Sequence, residues 1–302
     1  MPSTQPKWKA YAALICGTLI IGLSAIFTRL AEAPGSIVSL YRMAIVTLAF
    51  AVPFAASRRH KPALPRRGIG IAALAGIFLA IDLAAWSSGV AYGGATIPTL
   101  LGNAAPLWVG LGALFIFRER LKPTFWLGLL LAMAGALVVL GIDLQAHIDL
   151  NLGGMLGLIG SFFYGGYMLT AQRGRDQLDT LSFFWLTAAV ASVLLLLICL
   201  TLQIPLFGYS QKTYLYLLVL GLLVQGGGWM ALTYAQGHLP ASMVSPTLLT
   251  QPLITAIIAG PLLGEWLTRR EWLGAMAVLL GVVIVHRSRA AAPSRSAPAE
   301  RH

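Results

Sequence analysis

The sequence has few charged residues and few cysteines. Charged side chains make up only 10% of the chain, whereas 58% of its residues are hydrophobic, and the mean hydropathy is +0.79. A soluble globular domain carries about 25% charged residues. The composition therefore excludes a soluble globular domain and indicates an integral membrane protein. Because Cys16 and Cys199 both lie in apolar runs, a disulfide framework is not expected.

Sequence signatures of ATP use and of enzyme active sites are also missing. The sequence contains no G-x-x-x-x-G-K-[ST] segment, which excludes ATP-driven pumping by this chain alone. The five histidines show no metal-ligand spacing, and no Ser-His-Asp or Cys-His arrangement can be assembled. We therefore assign no metal, no cofactor and no catalytic residue. A membrane-embedded enzyme that acts on lipid is kept as an alternative of another class, although it lacks such a constellation.

Ten apolar runs, each long enough to cross about 30 Å of hydrocarbon, occupy most of the chain. They lack the period-two alternation of barrel strands, so we expect helices whose backbone groups are satisfied internally. The expected fold class is an all-α membrane protein with ten transmembrane helices. The predicted spans are 11–30, 36–56, 69–92, 95–117, 125–142, 153–171, 181–202, 214–235, 241–263 and 272–286.

The basic residues lie mainly in the connections between spans and in the tails. The net charge of +11 does not indicate a nucleic-acid partner, because no polar domain carries these residues. If both termini are cytoplasmic, 16 of the 21 Lys and Arg residues fall inside, four fall outside, and Arg42 lies within the second span. This bias predicts a multi-pass membrane protein with both termini in the cytoplasm.

The N-terminal segment imitates a secretory signal, because basic residues precede an apolar stretch and an A-x-A sequence at 31–33. We expect this segment to be retained as the first span. Its apolar stretch is longer than a usual signal core, and Arg29 interrupts the approach to the cleavage site. At the other end of the chain, residues 288–302 are predicted to form a disordered cytoplasmic tail.

Two segments of the chain repeat at a constant distance. The sequence FRERLKPTFWLG at 117–128 returns as LGEWLTRREWLG at 263–274, with its Glu, Trp and Gly residues each 146 positions later. We interpret the match as an internal duplication. Each repeat holds five spans, an odd number, so the second repeat should be inverted relative to the first. Glu119 should then face the cytoplasm, and Glu265 the exterior.

The repeated segments resemble a known family. IFRERLKPTFWLGLLLAMAGALVVL at 116–140 and LLGEWLTRREWLGAMAVLLGVVIV at 262–285 are similar to the closing helix pair of EamA-type domains in the drug/metabolite transporter superfamily. Arg118 departs from the Gly that usually precedes the Glu. The resemblance implies two EamA-type repeats, at 7–142 and 150–287. It also implies a carrier of the inner (plasma) membrane that exports or exchanges small metabolites, often amino acids, without ATP. The expected partners are the solute and the lipid bilayer, and the expected state is a monomer or homodimer.

Polar and aromatic pairs recur in the third and eighth spans. Asp82 and Trp86 are four residues apart, as are Gln225 and Trp229, so each pair shares a helix face. The two pairs are 143 positions apart, and we predict that they are equivalent and surround a midplane cavity. An Asp inside a membrane costs about 2.5 to 3.5 kcal/mol on insertion scales, so Asp82 should meet water, a cation or a partner. The alternative is an Arg42–Asp82 ion pair that holds the second and third helices together.

Two prolines predict kinks in the fourth and ninth spans. Pro106 follows Asn103 by three residues, and Pro252 directly follows Gln251. A proline inside a helix frees a carbonyl group and bends the axis. Bent helices at matching depth can surround a cavity in which freed carbonyls meet a ligand. A kink that serves packing alone is the alternative.

The sixth span offers two further aromatic candidates, Tyr164 and Tyr167, away from its stripe of small residues. The candidate substrate-binding residues are therefore Asp82, Trp86, Asn103, Tyr164, Tyr167, Gln225, Trp229 and Gln251. We expect a secondary transporter that moves a small metabolite by alternating access, with amino acids as the favoured class. The alternative within transport is efflux of lipophilic cationic drugs, with H⁺ as the coupling ion and Asp82 as the exchangeable proton site.

Overall fold

The protein is a bundle of apolar helices. The computed structural model describes residues 7–93, 98, 101–141, 152–264 and 266–290, and all regular secondary structure in these ranges is helical. Eight helices are long and apolar enough to cross a membrane, and two shorter apolar helices complete a set of ten. This confirms the expected all-α membrane fold. Glu265 and the tail beyond residue 290 lie outside the described residues. The helices are α1 (Trp8–Ala31), α2 (Gly35–Arg58), α3 (Arg66–Val90), α4 (Ala105–Phe115), α5 (Pro123–Val139), α6 (Leu152–Arg175), α7 (Thr180–Thr201), α8 (Gln211–Gln236), α9 (Ala241–Leu262) and α10 (Arg269–Arg289).

Polar residues and a glycine mark the points where the chain enters or leaves the apolar helices. Before α8, the Ser210 hydroxyl accepts a hydrogen bond from the Thr213 backbone N–H at 3.1 Å. This bond satisfies one of the N–H groups that lack a partner at a helix start. After α9, Gly264 has φ of +76°, a left-handed conformation that glycine adopts without a steric penalty.

Asp179 caps α7 in the same way. Its carboxylate accepts hydrogen bonds from the Ser182 backbone N–H at 3.0 Å and from the Ser182 hydroxyl at 2.8 Å. Burial raises the pKa of this carboxyl, but the Ser182 hydrogen bonds and the positive charges of Lys61 and Arg175 outweigh that effect. The pKa of Asp179 therefore lies below its ordinary value.

Glycines on α5 and α10 show how the two repeats are related. A Cβ atom added to Gly128 would lie 2.8 Å from the carbonyl oxygen of Gly281, and one added to Gly274 would lie 2.8 Å from that of Gly135. Gly128 and Gly274 are equivalent in the repeat, as are Gly135 and Gly281, each pair being 146 positions apart. Gly128 thus contacts Gly281, the counterpart of Gly135, while Gly135 contacts Gly274, the counterpart of Gly128. This reciprocal pattern is typical of a two-fold interface. Because 128 meets 281 while 135 meets 274, the helices run antiparallel, and the second repeat is inverted.

The bundle has two distinct ends. We call the end at which α1 starts and α10 finishes the terminal face, and the opposite end the far face. At the terminal face, Arg58 at the end of α2 lies 4.0 Å from the Asp179 carboxylate at the start of α7. At the far face, the Tyr41 hydroxyl of α2 donates to the carbonyl of Leu206, in the connection before α8, at 2.9 Å.

Helices α4 and α9 are broken within the bundle. A turn at 103–104 precedes the Ala105–Phe115 segment of α4, and a turn at 249–250 separates two segments of α9. Pro106 and Pro252 lie in the first turn of the segments that follow these breaks. Proline suits a first helical turn because its missing N–H would have no partner there. Each helix is thus interrupted directly before its proline, and the bend of the axis that the sequence predicted stays a prediction.

Helix α1 is also interrupted, at Leu23. The interruption exposes the carbonyl oxygen of Gly22, which accepts a hydrogen bond from the Thr255 hydroxyl of α9 at 2.6 Å. A side chain of the second repeat thus satisfies a backbone group that the first repeat leaves outside its helix.

A candidate binding cavity between the broken helices

A cavity of about 60 Å³ lies between the breaks of α4 and α9. Asn103 and Pro106 line it from α4, Ser245 and Gln251 from α9, and Tyr164 from α6. Non-helical backbone inside a membrane is tolerated where it lines a cavity or is buried in protein. Three of the predicted binding residues, Asn103, Tyr164 and Gln251, therefore meet at this point.

Three aromatic rings form a cluster beside this cavity. The ring centroids of Tyr164 and Tyr167 are 6.1 Å apart, that of Trp229 is 6.0 Å from Tyr164, and Tyr167 and Trp229 are 5.8 Å apart. These are ordinary distances for interacting aromatic side chains. The cluster joins α6 to α8, and all three of its members were predicted binding residues.

Two predicted residues of α8, Gln225 and Trp229, lie on a π-helix that runs from Leu220 to Trp229. Such segments are rare and occur frequently at functional sites. The Gln225 side-chain oxygen accepts a hydrogen bond from Nη2 of Arg42 at 3.1 Å. Gln225 is thereby held against α2 and is only 2% exposed.

Arg42 pairs with neutral groups in this structure. Its Nη1 donates to the Ser24 hydroxyl at 3.1 Å, in addition to the bond from Nη2 to Gln225. The described residues place no Asp or Glu oxygen within 4.0 Å of its guanidinium. The Arg42–Asp82 ion pair that the sequence offered as an alternative is therefore not formed.

Asp82 instead lies against α6. A Cβ atom added to Gly160 would lie 3.3 Å from Oδ1 of Asp82. Gly160 and Tyr164 are four residues apart and share a face of α6, so Asp82 lies on the same side of α6 as Tyr164. Trp86, one turn further along α3, has its Cδ1 atom 3.7 Å from the Cβ position of Gly102, beside the α4 break.

The helix packing bears on the predicted pairing of Asp82 with Gln225. A Cβ atom on Gly17 of α1 would lie 2.9 Å from the carbonyl oxygen of Gly228, and one on Gly160 of α6 would lie 3.3 Å from that of Asp82. In these two contacts Gly228 takes the place of Asp82, 146 positions earlier, although Gly17 and Gly160 are 143 positions apart. The pairing of Asp82 with Gln225 at 143 positions therefore stays a prediction.

Ser245 is a site residue that the sequence analysis missed. It is 2% exposed, it lines the cavity, and its hydroxyl has no hydrogen-bond partner among the described residues. A polar residue directly before Pro246 in an apolar run was the available signal. Unpartnered buried hydroxyls are uncommon in proteins, so this group is well placed to bind a ligand.

Three side chains close the terminal face beyond this cavity, and we call them the terminal latch: Glu119, Ser242 and Arg289. The Glu119 Oε2 atom lies 2.8 Å from Nη2 of Arg289 and accepts a hydrogen bond from the Ser242 hydroxyl at 2.8 Å. The latch joins the turn after α4 to the start of α9 and the end of α10. Ser242 precedes Ser245 by three residues on α9, so the latch lies between the cavity and the terminal face.

Comparison with known proteins places these features in a family. A protein of Bacillus subtilis (strain 168) named Uncharacterized transporter YwfM is 22% identical over 200 residues, which are 66% of this chain; the match spans 65% of that relative. A solved crystal structure of a protein, 15% identical, has a TM-score of 0.77 over 93% of this chain and 98% of that chain, which shows a shared fold. The EamA-like transporter family matches residues 8–141 and again 151–287. Because these two matches cover most of the sequence, the chain belongs to the EamA-like transporter family.

Proposed function

We propose that this protein is a secondary transporter that moves a small metabolite by alternating access, with amino acids as the favoured substrate class. The observation that carries the proposal is the cavity between α4 and α9, which are equivalent helices of the inverted repeat and are both broken beside it. In transporters built from inverted repeats, substrate sites near the midplane are typically formed by such discontinuous helices.

The size of the cavity implies a movement. Its volume of about 60 Å³ equals the share of about two water molecules in the liquid, whereas sites for small molecules occupy about 300–1,000 Å³. Helices α4 and α9 must therefore separate before a metabolite can enter. The breaks at 103–104 and 249–250 supply points at which the helix halves can pivot, and the terminal latch would open in one of the two end states.

The side chains around the cavity suit a solute with one apolar part and one polar part. The rings of Tyr164, Tyr167 and Trp229 supply flat apolar walls, and the amides of Asn103 and Gln251 can orient a polar group. Amino acids with apolar side chains have this character. The positive-inside bias supports an orientation with the terminal face in the cytoplasm, and an inner-membrane location is part of the proposal.

The proposal is tested by reconstituting the full chain into liposomes and measuring uptake of amino acids, organic cations and nucleosides under an imposed pH or voltage gradient. We expect uptake of at least one amino acid. Gln251→Leu, in the cavity, should reduce it about tenfold or more by leaving the ligand's polar group unpaired. Gln177→Leu makes the same change at an exposed connection and should have no effect. Absence of uptake of every probe would contradict the proposal.

A second candidate is proton-coupled efflux of lipophilic cations, and Asp82 favours it. Asp82 lies within α3, and among the described residues no Lys, Arg or His nitrogen lies within 4.0 Å of its carboxylate. An acidic group inside a membrane without a basic partner can exchange a proton for a cation. Asp82→Asn should then abolish pH-driven cation flux at unchanged protein abundance. Full pH-driven flux in that variant would rule out Asp82 as the coupling residue.

A further inference from the structure

Three buried hydrogen-bond donors around Tyr164 have no partner among the described residues. Trp229 packs edge-on against the Tyr164 ring, and its Nε1–H is unpartnered. Ser245 lines the same cavity as Tyr164, and its hydroxyl is unpartnered as well. The third donor is the Nε–H of Arg42, whose Nη2 donates to Gln225, four residues before Trp229 on α8. Buried donors almost always bind an acceptor, so these three groups are available to an acceptor that the described residues do not supply.

The guanidinium of Arg42 is oriented by the protein but not neutralised by it. Ser24 and Gln225, the two acceptors that hold it at 3.1 Å, are both uncharged. These bonds engage two of its five N–H donors. An arginine stays charged in proteins, and a charge within a membrane span normally pairs with an opposite charge. The remaining donors and the charge are therefore available to an anionic ligand.

We infer that Arg42 binds the carboxylate group of the transported solute, with Trp229 Nε1 and Ser245 Oγ as additional donors. The inference rests on the proposed transport function and names the group that the site recognises. A guanidinium presents its N–H groups in a fixed fork that matches the two oxygens of a carboxylate. The three unpartnered donors suit a carboxylate, whereas the aromatic faces of Tyr164, Tyr167 and Trp229 suit a cationic group such as the ammonium of an amino acid.

The test compares each amino acid with its carboxamide, which keeps the side chain and the ammonium group but lacks the carboxylate. Full-length protein in liposomes is offered L-amino acids, their carboxamides and simple monocarboxylates, and uptake is measured for each. The wild-type protein should take up acids in preference to amides. Arg42→Gln should lower acid uptake about 30-fold or more and bring the acid-to-amide ratio close to one. Arg42→Lys keeps the charge without the fork and should give an intermediate ratio.

Control variants separate carboxylate recognition from general damage. Arg59→Gln makes the same change at an exposed residue directly after α2 and should leave the ratio at its wild-type value. Trp229→Phe keeps an aromatic ring without its N–H, and Ser245→Ala removes the hydroxyl. Each should lower acid uptake several-fold and amide uptake less, because each removes one donor to the carboxylate. The wild-type ratio and these two variants decide the matter even where Arg42→Gln fails to fold.

Each outcome bears on the inference or on the transport function beneath it. Equal uptake of acids and amides by the wild-type protein, or an unchanged ratio in Arg42→Gln, would overturn the assignment of Arg42. Uptake of cations or nucleosides without any carboxylate would also overturn it while leaving the transport function intact. A wild-type protein that moves none of the probes would contradict both.

Discussion

Removing the charge of Glu119 should open the terminal face. In the latch its Oε2 atom lies 2.8 Å from Nη2 of Arg289, and the two side chains are 15% and 13% exposed, respectively. Removing one partner of a buried ion pair costs about 3–5 kcal/mol, because the other charge is left buried and unpaired. The partial exposure places Glu119→Gln near the lower value, about 3 kcal/mol. Since opening allows water to reach Arg289, this cost falls on the closed form, and the closed-to-open ratio should drop about 100-fold.

Thiol labelling at Ser245 measures this change directly. Ser245 lies on α9 between the latch and the cavity and is 2% exposed in the closed form. A Ser245→Cys variant, with Cys16 and Cys199 replaced by Ala, is treated with a water-soluble thiol reagent. While the closed form dominates, the labelling rate is proportional to the open fraction. Glu119→Gln should therefore raise the rate up to about 100-fold, until the open form becomes the major one.

Matched variants show whether the ion pair is responsible. Glu32→Gln makes the same change at an exposed residue of the far face and should leave the rate unchanged. Arg289→Gln should act in the same direction as Glu119→Gln. The double variant should exceed the single variants by little, because the same interaction is lost in each. The role of the latch would be refuted if Glu119→Gln left the thiol-labelling rate of the Ser245→Cys protein unchanged, or if Glu32→Gln raised that rate equally.

Three further results are expected. Gly135→Ala should destabilise the fold by about 1–3 kcal/mol, because the new Cβ would lie 2.6 Å from the Gly274 carbonyl oxygen. Gly70→Ala should not destabilise it, because nothing lies within 4 Å of the new Cβ. Thermal unfolding in detergent compares the two variants. Asp179→Asn should keep the cap of α7 but weaken the acid sensitivity of unfolding. The folded pKa of Asp179 is lowered, so its contribution is complete above its ordinary value of 3.8 and is lost as pH falls through the folded pKa; melting curves at decreasing pH check this. Ser242→Ala should raise the thiol-labelling rate about tenfold, because it removes one hydrogen bond to a charged group.

The ten helices and the repeat could be predicted from the sequence because both signals are local or periodic. A membrane span needs only a sufficiently long apolar run. The matched Glu, Trp and Gly residues near 119–128 and 265–274 reveal the duplication without any knowledge of contacts. The odd number of spans in each repeat then gives the inversion, which the antiparallel glycine contacts of α5 and α10 bear out.

The breaks in α4 and α9 and the latch could not be predicted in the same way. Pro106 is compatible with a kinked helix and with the first turn of a new one, and only the turn at 103–104 distinguishes them. Glu119 and Arg289 are 170 positions apart, and each resembles an ordinary charged helix end. Similarity of residue type pairs Asp82 with Gln225, but the choice between Gln225 and Gly228, three residues or about one helical turn apart, is decided by packing.

The two repeats share their backbone features but not their charges. The breaks at 103–104 and 249–250 are 146 positions apart, and the glycine contacts of α5 and α10 are reciprocal. Arg42 and Asp82, in contrast, belong to the first repeat. In the proposed mechanism the shared backbone moves between the two end states, whereas the first repeat supplies the charge that binds a carboxylate. Substitutions at the breaks should therefore change the rate of exchange between states, and substitutions at Arg42 should change which solutes are accepted.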